Sequence, residues 1–549
     1  MSEEPGNEPS SKKKVKRKKR ADAAEPNTVL KLRWDLHELP SSQHRAGLAG
    51  LAMCVAFLRR KPNRKGMCEV ETIDERGLAL AIDRAGMQSL FDDLYDATME
   101  ETRSRAKWAG VEPKRVEDVE IKDEKTGKTK VEKRFVYDRV VPAGLIVSDW
   151  DAATTGAPKL WLKLWQDLVW STLRGVPATR EPFNARAERR TVDDGGEEWD
   201  ELATKPNRTV PLPSTYALGA QAKSAENVAF EDVARLRFLL HFWPVVVGIY
   251  IPAILQRDGK REFVGYALAV PDVAVLDEFV VAWERVARGR DCEASAYLPR
   301  DAVIDLATEA GLDVVRRSND VLASKQGAAS TRAWLSAVDV FHVEKEGNNV
   351  RLRAVSRVVP DRKQDDEYAR VRSAGYWSPV FRRQRIANVL DAKPWWWDFA
   401  RLCSTTPEEM TIRHKSFQHD CRAALTEVEM KENVPDTEHT LEHLIYRRVQ
   451  AYVLGKTERK YDLSWAKAQG NATQEKEYRE KKEKVGREAF LAIRSRTGAD
   501  FVTYFTSTIC SVPQHANEEK FVEIARALMD PKGIERIRSL TLLALSAVS

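Results

Sequence analysis

FLLHFWPVVVGIYIPAILQRDGKREFVGYALAV, residues 238–270, contains the clearest fold signal in the chain. Two apolar runs, Val245–Leu255 and Phe263–Val270, flank the tetrapeptide Arg257-Asp258-Gly259-Lys260. Because Asp-Gly favours the tight turns that join adjacent antiparallel strands, this pattern predicts a buried β-hairpin. The spacing of apolar residues then becomes helical, which predicts a helix over Asp272–Val286 with Asp272 as its N-cap.

The same reasoning extends the prediction towards both termini. A strand is predicted at Thr28–Asp35, and the helix that follows at Ala46–Leu58 (AGLAGLAMCVAFL) is apolar nearly all round, so it must be buried on several sides. Two more hairpins are predicted, one joining Val116–Ile121 to Lys130–Val141 and one within Val338–Val359. The polar segment Ala185–Arg208 carries a charged run and two adjacent glycines, so we expect a surface loop there.

The carboxyl-terminal part of the chain has a different character. From about Trp395 onward, strand-like alternation nearly disappears and apolar residues take helical spacing over five segments. This pattern predicts a helical bundle. We therefore expect an α+β protein of three parts: a disordered basic arm at residues 1–27, a mixed α/β body with antiparallel hairpins at 28–390, and an all-α bundle at 391–549.

Positive charge is concentrated at one end of the chain. The net charge is +6, and eight of the nine residues Lys12–Arg20 are Lys or Arg. This arm is either a nonspecific tether for RNA or DNA or a solvated tail. The rest of the chain is close to neutral, so nucleic-acid binding there must depend on local clusters.

Composition also excludes several classes of protein. The six cysteines lie far apart without a C-x-x-C pair, and no cleavable signal is visible. The longest apolar run, His241–Leu255, is too short to span a bilayer. We expect a cytoplasmic protein with no membrane contact, no zinc ribbon and no disulfide framework.

One string is typical of an enzyme. His439, Glu442 and His443 fit the H-x-x-E-H pattern of zinc peptidases, in which two histidines on one helix face bind zinc and the glutamate is the general base. Glu518 or Glu519 is the candidate third ligand. The competing interpretation is a solvated helix face, because three fixed positions arise easily by chance. No phosphate-binding, dinucleotide-binding or nucleophile-elbow motif occurs, so we expect no catalytic residue, no cofactor and no metal.

Basic clusters with interleaved aromatic residues favour nucleic acid as a ligand. Between Arg351 and Arg385 there are ten Lys or Arg residues against four acidic ones, with Tyr376, Trp377 and Phe381 among them. Such a segment suits a groove that follows phosphates and stacks unpaired bases, although the aromatics alternatively belong to a core and the arginines to a solvated rim. The predicted phosphate contacts here are Arg370, Arg372, Arg382, Arg383 and Arg385.

Two further basic clusters and one run of aromatic residues can also be interpreted either as nucleic-acid contacts or as ordinary packing and surface residues. The loop RRKPNRK after the first helix and the tip of the predicted 116–141 hairpin contribute Arg59, Arg60, Arg64, Lys65, Lys125, Lys128 and Lys130 as candidate contacts. Three consecutive indoles, Trp395-Trp396-Trp397, cannot all face one core from a helix. At least one of them should meet another domain, a partner or a base.

The whole pattern resembles a known family. The resemblance rests on four features: the apolar first helix, the segment PLPSTYALGAQAKSAENVAFEDVARLRFLLHFWPVVVGIYIP at Pro211–Pro252, GYALAVPDV at Gly265–Val273, and the helical carboxyl-terminal module. Together these resemble the large subunit of type I CRISPR surveillance complexes (Cascade), within the Cmx-type branch of the eighth Cas family. No invariant catalytic motif marks these subunits, so no residue is transferred one for one.

The resemblance implies a scaffold without enzymatic activity. Such a subunit would read the protospacer-adjacent motif, start unwinding the target, steady the displaced strand and recruit the effector. The implied partners are CRISPR RNA and target DNA, the backbone, repeat-processing and small subunits, and a helicase-nuclease or a transposition factor. The helical module resembles the separate small subunit that lines the R-loop.

Side chains able to pair with base edges are the remaining candidates. Asn207 and Arg208 follow the polar segment, and Gln221 and Lys223 follow a glycine. Amide and guanidinium groups suit this task because they make paired hydrogen bonds with bases. Ordinary loop polarity is the alternative for each of them. Two other classes stay open as well, the zinc peptidase and a basic-tailed nucleic-acid protein unrelated to CRISPR.

Overall fold

The computed structural model describes residues 28–62, 64–108, 110–122, 129–144, 159–169, 180–212, 217–218, 230–256, 260–291, 293–295, 298–326, 334–346, 349–431, 440–511 and 518–549. The strands in these ranges are β1 (Leu30–Asp35), β2 (Cys68–Ile73), β3 (Gly77–Ile82), β4 (Ala97–Ser104), β5 (Arg115–Lys122), β6 (Thr129–Pro142), β7 (Thr209–Pro211), β8 (Glu231–Val233), β9 (Gly248–Leu255), β10 (Arg261–Phe263), β11 (Tyr266–Val273), β12 (Ala294–Ser295), β13 (Leu298–Pro299), β14 (Val303–Ile304), β15 (Leu335–Glu346) and β16 (Asn349–Val358).

Helices occupy most of the remaining described chain. In the first part they are α1 (Ser42–Leu58), α2 (Arg84–Leu94), α3 (Leu160–Asp167), α4 (Arg180–Ala187), α5 (Asp194–Thr204), α6 (Ala234–Leu239), α7 (Leu276–Arg288), α8 (Glu309–Gln326), α9 (Arg362–Ser373) and α10 (Pro379–Leu390). In the second part they are α11 (Phe399–Thr405), α12 (Lys415–Lys431), α13 (Leu441–Tyr461), α14 (Trp465–Ala468), α15 (Ala472–Arg494), α16 (Gly498–Ser507), α17 (Glu518–Ala527) and α18 (Pro531–Val548). The predicted α+β class, sheets first and helices after, is confirmed.

The largest sheet contains the hairpin predicted from residues 238–270. Strand β9 pairs antiparallel with β10, where Leu255 faces Arg261, and with β11, where Tyr250 faces Ala267. The sheet continues in the order β10-β9-β11-β15-β16. The predicted hairpin of Val245–Leu255 with Phe263–Val270 is confirmed, with its second arm divided between β10 and β11, and the predicted β15–β16 hairpin is confirmed as well. The turn tips at 257–259 and 347–348 lie outside the described residues.

Asp272 does not cap the helix that follows this sheet, so that prediction is wrong. Helix α7 begins at Leu276, and Asp272 belongs to β11. Its buried carboxylate accepts a hydrogen bond from Arg45 at 2.7 Å and another from Arg357. Partners distant in sequence therefore determine the position of this side chain.

Helix α1 is as deeply buried as its composition predicts. Nearly every residue from Ser42 to Leu58 is shielded from solvent, and its glycines allow a close backbone approach. A Cβ atom at Gly47 would lie 2.2 Å from the carbonyl oxygen of Leu239, and one at Gly50 would lie 2.3 Å from that of Phe242. The first helix thus packs directly on the backbone of the segment that leads into β9.

The segment predicted as a surface loop at Ala185–Arg208 is mostly helical, so that prediction is wrong. Helices α4 and α5 occupy it, and Trp199 and Leu202 are buried. The indole N–H of Trp199 donates to the carbonyl oxygen of Ile82 at 3.2 Å. Two apolar residues one turn apart anchor a helix whose other residues are largely charged.

The hairpin predicted around residues 116–141 is confirmed. Strands β5 and β6 pair antiparallel from Arg115 opposite Val136 to Lys122 opposite Thr129, and β4 pairs with the other edge of β6. Its tip at residues 123–128 lies outside the described residues.

Two hydrophobic cores divide the structure. The first is built from the body elements, and the second is built from α11–α18 together with Phe381. Helix α10 contributes to both, since Ile386 and Val389 belong to the first core and Phe381 to the second. Helix α18 is the central helix of the bundle, with its residues Ile537–Val548 buried. The junction between body and bundle therefore runs through α10.

The five described cysteines are free thiols. Among the helices in the described ranges, none has both the length and the apolarity needed to cross a membrane.

Candidate nucleic-acid interface

Two of the arginines predicted to contact phosphate are bound to carboxylates of the body. Arg382, on α10, donates to Asp305 and Glu309. Arg372, on α9, donates to Asp301 at 3.1 Å and lies 3.6 Å from Asp313. The cationic excess of this segment in the sequence is therefore balanced in space by acidic residues of 301–313.

The cluster around Arg382 is almost completely enclosed. Its side chain is 15% exposed, and those of Asp305 and Glu309 are 4% and 0% exposed. Burial opposes the positive charge on Arg382, but Glu309 and Asp305 outweigh this effect and raise the pKa of the guanidinium. The structure gives Arg382 the role of holding α10 against the body, where it is poorly placed for DNA.

The other three arginines of this group differ in their surroundings. Arg370 is ion-paired with Glu367 on its own helix. Arg383 is exposed and has no ion pair or hydrogen bond to its side chain within the described part of the chain. Arg385 is 7% exposed, and its closest carboxylate, that of Glu367, is 3.8 Å away. Arg383 is therefore the member of the group without an ion pair in the described part of the chain, and Arg385 has the longest ion pair of the other four.

Arg385 lines a cleft at the junction of body and bundle, which we call the junction cleft. Its volume is about 760 Å³, and its wall includes Lys363 of α9, Arg385 of α10, and Lys393, Trp395 and Trp396 from the connection to α11. The buried Nε of Arg385 has no hydrogen-bond partner within the described residues.

The charged residues lining the junction cleft are four cations, Lys363, Arg385, Lys393 and Arg536, and three carboxylates, Asp361, Glu367 and Glu442. The carboxylate of Glu442 is bound by Arg536 at 2.6 Å, and Asp361 accepts the backbone N–H of Gln364 as the N-cap of α9. Lys363 and Lys393 are both exposed and have no carboxylate within ion-pair distance in the described part of the chain. The rim of the cleft thus presents two available ammonium groups around a buried guanidinium.

The three consecutive indoles lie in the turns before α11 and have different environments. Trp396 is 8% exposed in the bundle core, while Trp395 and Trp397 are partly buried at its edge. Asn388 donates to the carbonyl oxygens of Trp395 and Trp397, both at 2.9 Å, and so holds this segment on α10. The guanidinium of Arg385 lies 5.7 Å from the centroid of the Trp395 ring. Trp395 therefore combines domain packing with a face towards the junction cleft.

The basic loop after α1 is held to neighbouring elements by most of its charged groups. Arg64 pairs with Glu69 at 3.1 Å, Arg59 donates to the carbonyl oxygen of Val70 at 3.3 Å, and Arg60 lies over the Phe57 ring. Lys65 is exposed, and its backbone is bound by the hydroxyl of Ser89. These residues lie on the body, on elements other than those that form the junction cleft.

Several predicted contacts fall where the structure gives no side-chain description. Lys125, Lys128, Gln221 and Lys223 lie outside the described residues, and Lys130 lies in β6 without a described side chain. Asn207 and Arg208 are exposed in the connection between α5 and β7. The backbone of Arg208 is fixed there, since its carbonyl oxygen accepts the N–H of Ala234 at 2.9 Å.

The zinc-peptidase hypothesis receives no support from the structure. Glu442, the candidate general base, is 7% exposed and ion-paired with Arg536. His439 lies outside the described residues, and so do the side chains of Glu518 and Glu519. Within the described ranges, no group of three or more His, Cys, Asp or Glu residues is arranged to hold a metal ion.

Sequence reasoning missed Lys393 and Arg536 as neighbours of the indoles. The pair Lys393-Pro394 directly precedes the three tryptophans, and a cation beside an aromatic run is a signal that was present. No such signal exists for Arg536, which reaches the cleft from α18 and lies 5.6 Å from the Trp396 ring centroid.

Comparison with known families identifies the class of protein. Residues 67–328 match the type I-B CRISPR Cas8b N-terminal domain, and residues 335–548 match the type I-B CRISPR Cas8b C-terminal domain. The fold of a sheet-containing body followed by a helical module is therefore that of a type I CRISPR large subunit. The chain belongs to the Cas8b family. A search of curated proteins found no match.

Proposed function

We propose that this chain is the non-catalytic large subunit of a cytoplasmic type I surveillance complex that uses its junction cleft to hold nucleic acid. In this role it takes part in protospacer-adjacent motif recognition, unwinding of the target, stabilisation of the R-loop and recruitment of the effector nuclease. Its partners are CRISPR RNA, target DNA and the backbone, repeat-processing and small subunits. The finer assignment to the Cmx-type branch is part of the same proposal.

The observation that carries the proposal is the pair of exposed rim lysines of the junction cleft, Lys363 and Lys393, which have no ion pair in the described part of the chain. Arg385 in the cleft wall adds a third cation, with Glu367 3.8 Å away. A phosphodiester offers acceptor oxygens to the guanidinium and displaces counterions from the lysines. The Trp395 ring adds a surface for a base or sugar.

This arrangement suits sequence-independent contact. In an RNA-guided complex, base pairing reads the sequence, and the protein holds backbone and shape. Exposed Arg383 and Lys65 extend the set of candidate phosphate contacts on the surface, and Asn207 and Arg208 are the described candidates for base edges.

The test is the salt dependence of target binding by the assembled complex. Lys363→Ala with Lys393→Ala should weaken binding of all target sequences alike and reduce the slope of log Kd against log salt by about two, because two phosphate contacts are lost. Lys114→Ala with Lys460→Ala is the matched control, since both lysines are exposed but ion-paired, with Glu101 and Asp138 and with Glu488. An unchanged slope in the cleft variant would remove the cleft from the interface.

A further inference from the structure

An exposed tryptophan outside the junction cleft is held in an unusual way. Trp377 is 65% exposed, and its ring lies flat on the imidazole of His419, with 3.9 Å between centroids and 1° between planes. An exposed indole offers a large flat apolar face to a binding partner. With one face covered by His419, the opposite face of the indole is open.

The backbone beneath this ring is rigidly fixed. The buried carboxylate of Asp420 accepts the N–H groups of Trp377, at 3.1 Å, and Ser378, at 2.6 Å. Its Oδ1 is also 3.0 Å from Nδ1 of His419. Asp420 therefore fixes the backbone of Trp377 and contacts the imidazole on which the indole lies.

Two cationic side chains lie on either side of His419 along α12. Lys415, His419 and Arg422 have the spacing i, i+4 and i+7, so they lie along one face of the helix. Lys415 is 74% exposed, and its ammonium lies 3.3 Å from a carboxylate oxygen of Glu483. Arg422 is exposed, and its guanidinium donates to the carbonyl oxygen of Ala547 at 2.7 and 3.0 Å.

Helix α15 adds two more cations to this surface. Arg479 is 69% exposed and lies 3.6 Å from Glu475, and Lys482 follows it by one turn. Lys482 makes no ion pair and no hydrogen bond within the described part of the chain. Burial, together with the nearby charges of Arg422, Arg479 and Lys415, lowers the pKa of Lys482. Like charges are brought together here, and the carboxylates of Glu475 and Glu483 each lie beside one of them.

We propose that Trp377 and His419, with Lys415, Arg422, Arg479 and Lys482, form a stacking platform for an unpaired nucleotide of a nucleic-acid strand. A base would lie on the open face of Trp377, and the phosphates on either side of it would meet the ammonium and guanidinium groups. The inference rests on the proposed nucleic-acid role but uses residues that the junction cleft does not contain.

The chemistry favours a single strand over a duplex. An indole presents a flat apolar face, which needs an unstacked base as its partner, and paired bases in a helix are already stacked. Ammonium groups contribute affinity by counterion release without regard to sequence. DNA and RNA strands share this chemistry, so the experiment includes both.

The test uses the full-length chain and single strands of one sequence, made as DNA and as RNA, each containing 2-aminopurine. Stacking on an indole should quench the 2-aminopurine fluorescence, and anisotropy gives the Kd. Trp377→Ala should remove most of the quenching and weaken binding about 5- to 100-fold, as loss of one base–aromatic stack does. Trp377→Phe keeps a flat ring and should stay close to wild type. Tighter binding of either DNA or RNA identifies the source of the strand.

Charge variants give an independent measurement. Lys482→Ala should reduce the salt slope of single-strand binding by about one, and Lys460→Ala, which removes a lysine paired with Glu488, should leave it unchanged.

Three outcomes would overturn the inference. Unchanged quenching and Kd in Trp377→Ala, while the double substitution of Lys363 and Lys393 still weakens target binding, would refute the platform and leave the proposed function intact. Loss of complex assembly in Trp377→Ala, with single-strand binding intact, would instead assign the surface to a protein subunit. If both the Trp377 and the cleft variants behave as wild type, the proposed function fails with the platform.

Discussion

Arg382 and Arg383 are adjacent in sequence, and the structure predicts opposite consequences for their replacement by alanine. Arg382→Ala leaves Glu309, whose side chain is 0% exposed, without an ion pair in the described part of the chain, whereas Asp305, 4% exposed, keeps Arg261 at 3.4 Å. Breaking a buried ion pair by removing one partner costs about 3–5 kcal/mol, because the remaining charge stays buried. Arg383→Ala removes an exposed side chain and should cost less than about 0.5 kcal/mol.

The assay is urea unfolding of the full-length chain at pH 7, followed by fluorescence and circular dichroism. Because α10 contributes to both cores, the loss in Arg382→Ala should appear in the transition of the body as well as that of the bundle. Adding Glu309→Gln to Arg382→Ala should restore part of the loss, since it removes the stranded charge. Arg383→Ala should instead lower DNA affinity while leaving the unfolding midpoint in place.

A specific result would refute this reasoning. If Arg382→Ala unfolds within about 0.5 kcal/mol of wild type and weakens DNA binding as much as Arg383→Ala, then Arg382 is a surface phosphate contact and the buried cluster is not the one described.

The remaining predictions concern two buried positions. Burial lowers the pKa of His241 from 6.5 to about 3, so the folded protein keeps this imidazole neutral while the unfolded chain is protonated below pH 6.5. Stability is therefore lost as the pH falls from 6.5 towards 3, by about 2 kcal/mol at pH 5, and His241→Gln should remove that part of the pH dependence in urea unfolding between pH 7.5 and 5. An identical pH dependence in the two proteins would contradict this. Gly47→Ala should destabilise the protein by about 1–3 kcal/mol, because its Cβ would lie 2.2 Å from the carbonyl oxygen of Leu239. A raised midpoint of thermal unfolding, as helix propensity alone predicts, would show that α1 is not packed this closely.

The strands and most helices were predictable because their signals are local. The Asp-Gly turn and the alternating arms of β15 and β16 are contained within a few residues of sequence. The two wrong predictions, the N-cap at Asp272 and the surface loop at Ala185–Arg208, failed because tertiary contacts override the local signal. Asp272 has the sequence context of an N-cap, but its carboxylate is bound by Arg45 and Arg357. Helix α5 has the composition of a loop, but Trp199 anchors it under β3.

Tertiary contacts also limit what the sequence can predict about the charge of the candidate site. The window Arg351–Arg385 has ten cations and four acids in sequence, but Arg357, Arg372 and Arg382 pair with carboxylates that lie outside it. A local excess of charge in sequence is therefore not an excess in space. Composition cannot indicate which basic side chains remain without an ion pair in the folded protein. Those side chains, such as Lys363 and Arg383, are the ones available to a ligand.

The aromatic residues of the same window also divide in a way that sequence could not predict. Phe381 is completely buried in the bundle core, whereas Trp377, four residues earlier, is 65% exposed. Their separation depends on the turn before α10, which Asp420 of α12 fixes through two backbone hydrogen bonds.

The most direct test of the central claim compares the surveillance complex with and without this chain. Backbone and repeat-processing subunits are assembled on CRISPR RNA, and binding of matching duplex DNA is measured by gel shift and by permanganate reactivity of the displaced strand. The account predicts that stable binding and strand opening require this chain. Equal binding and equal strand opening in its absence would contradict the account.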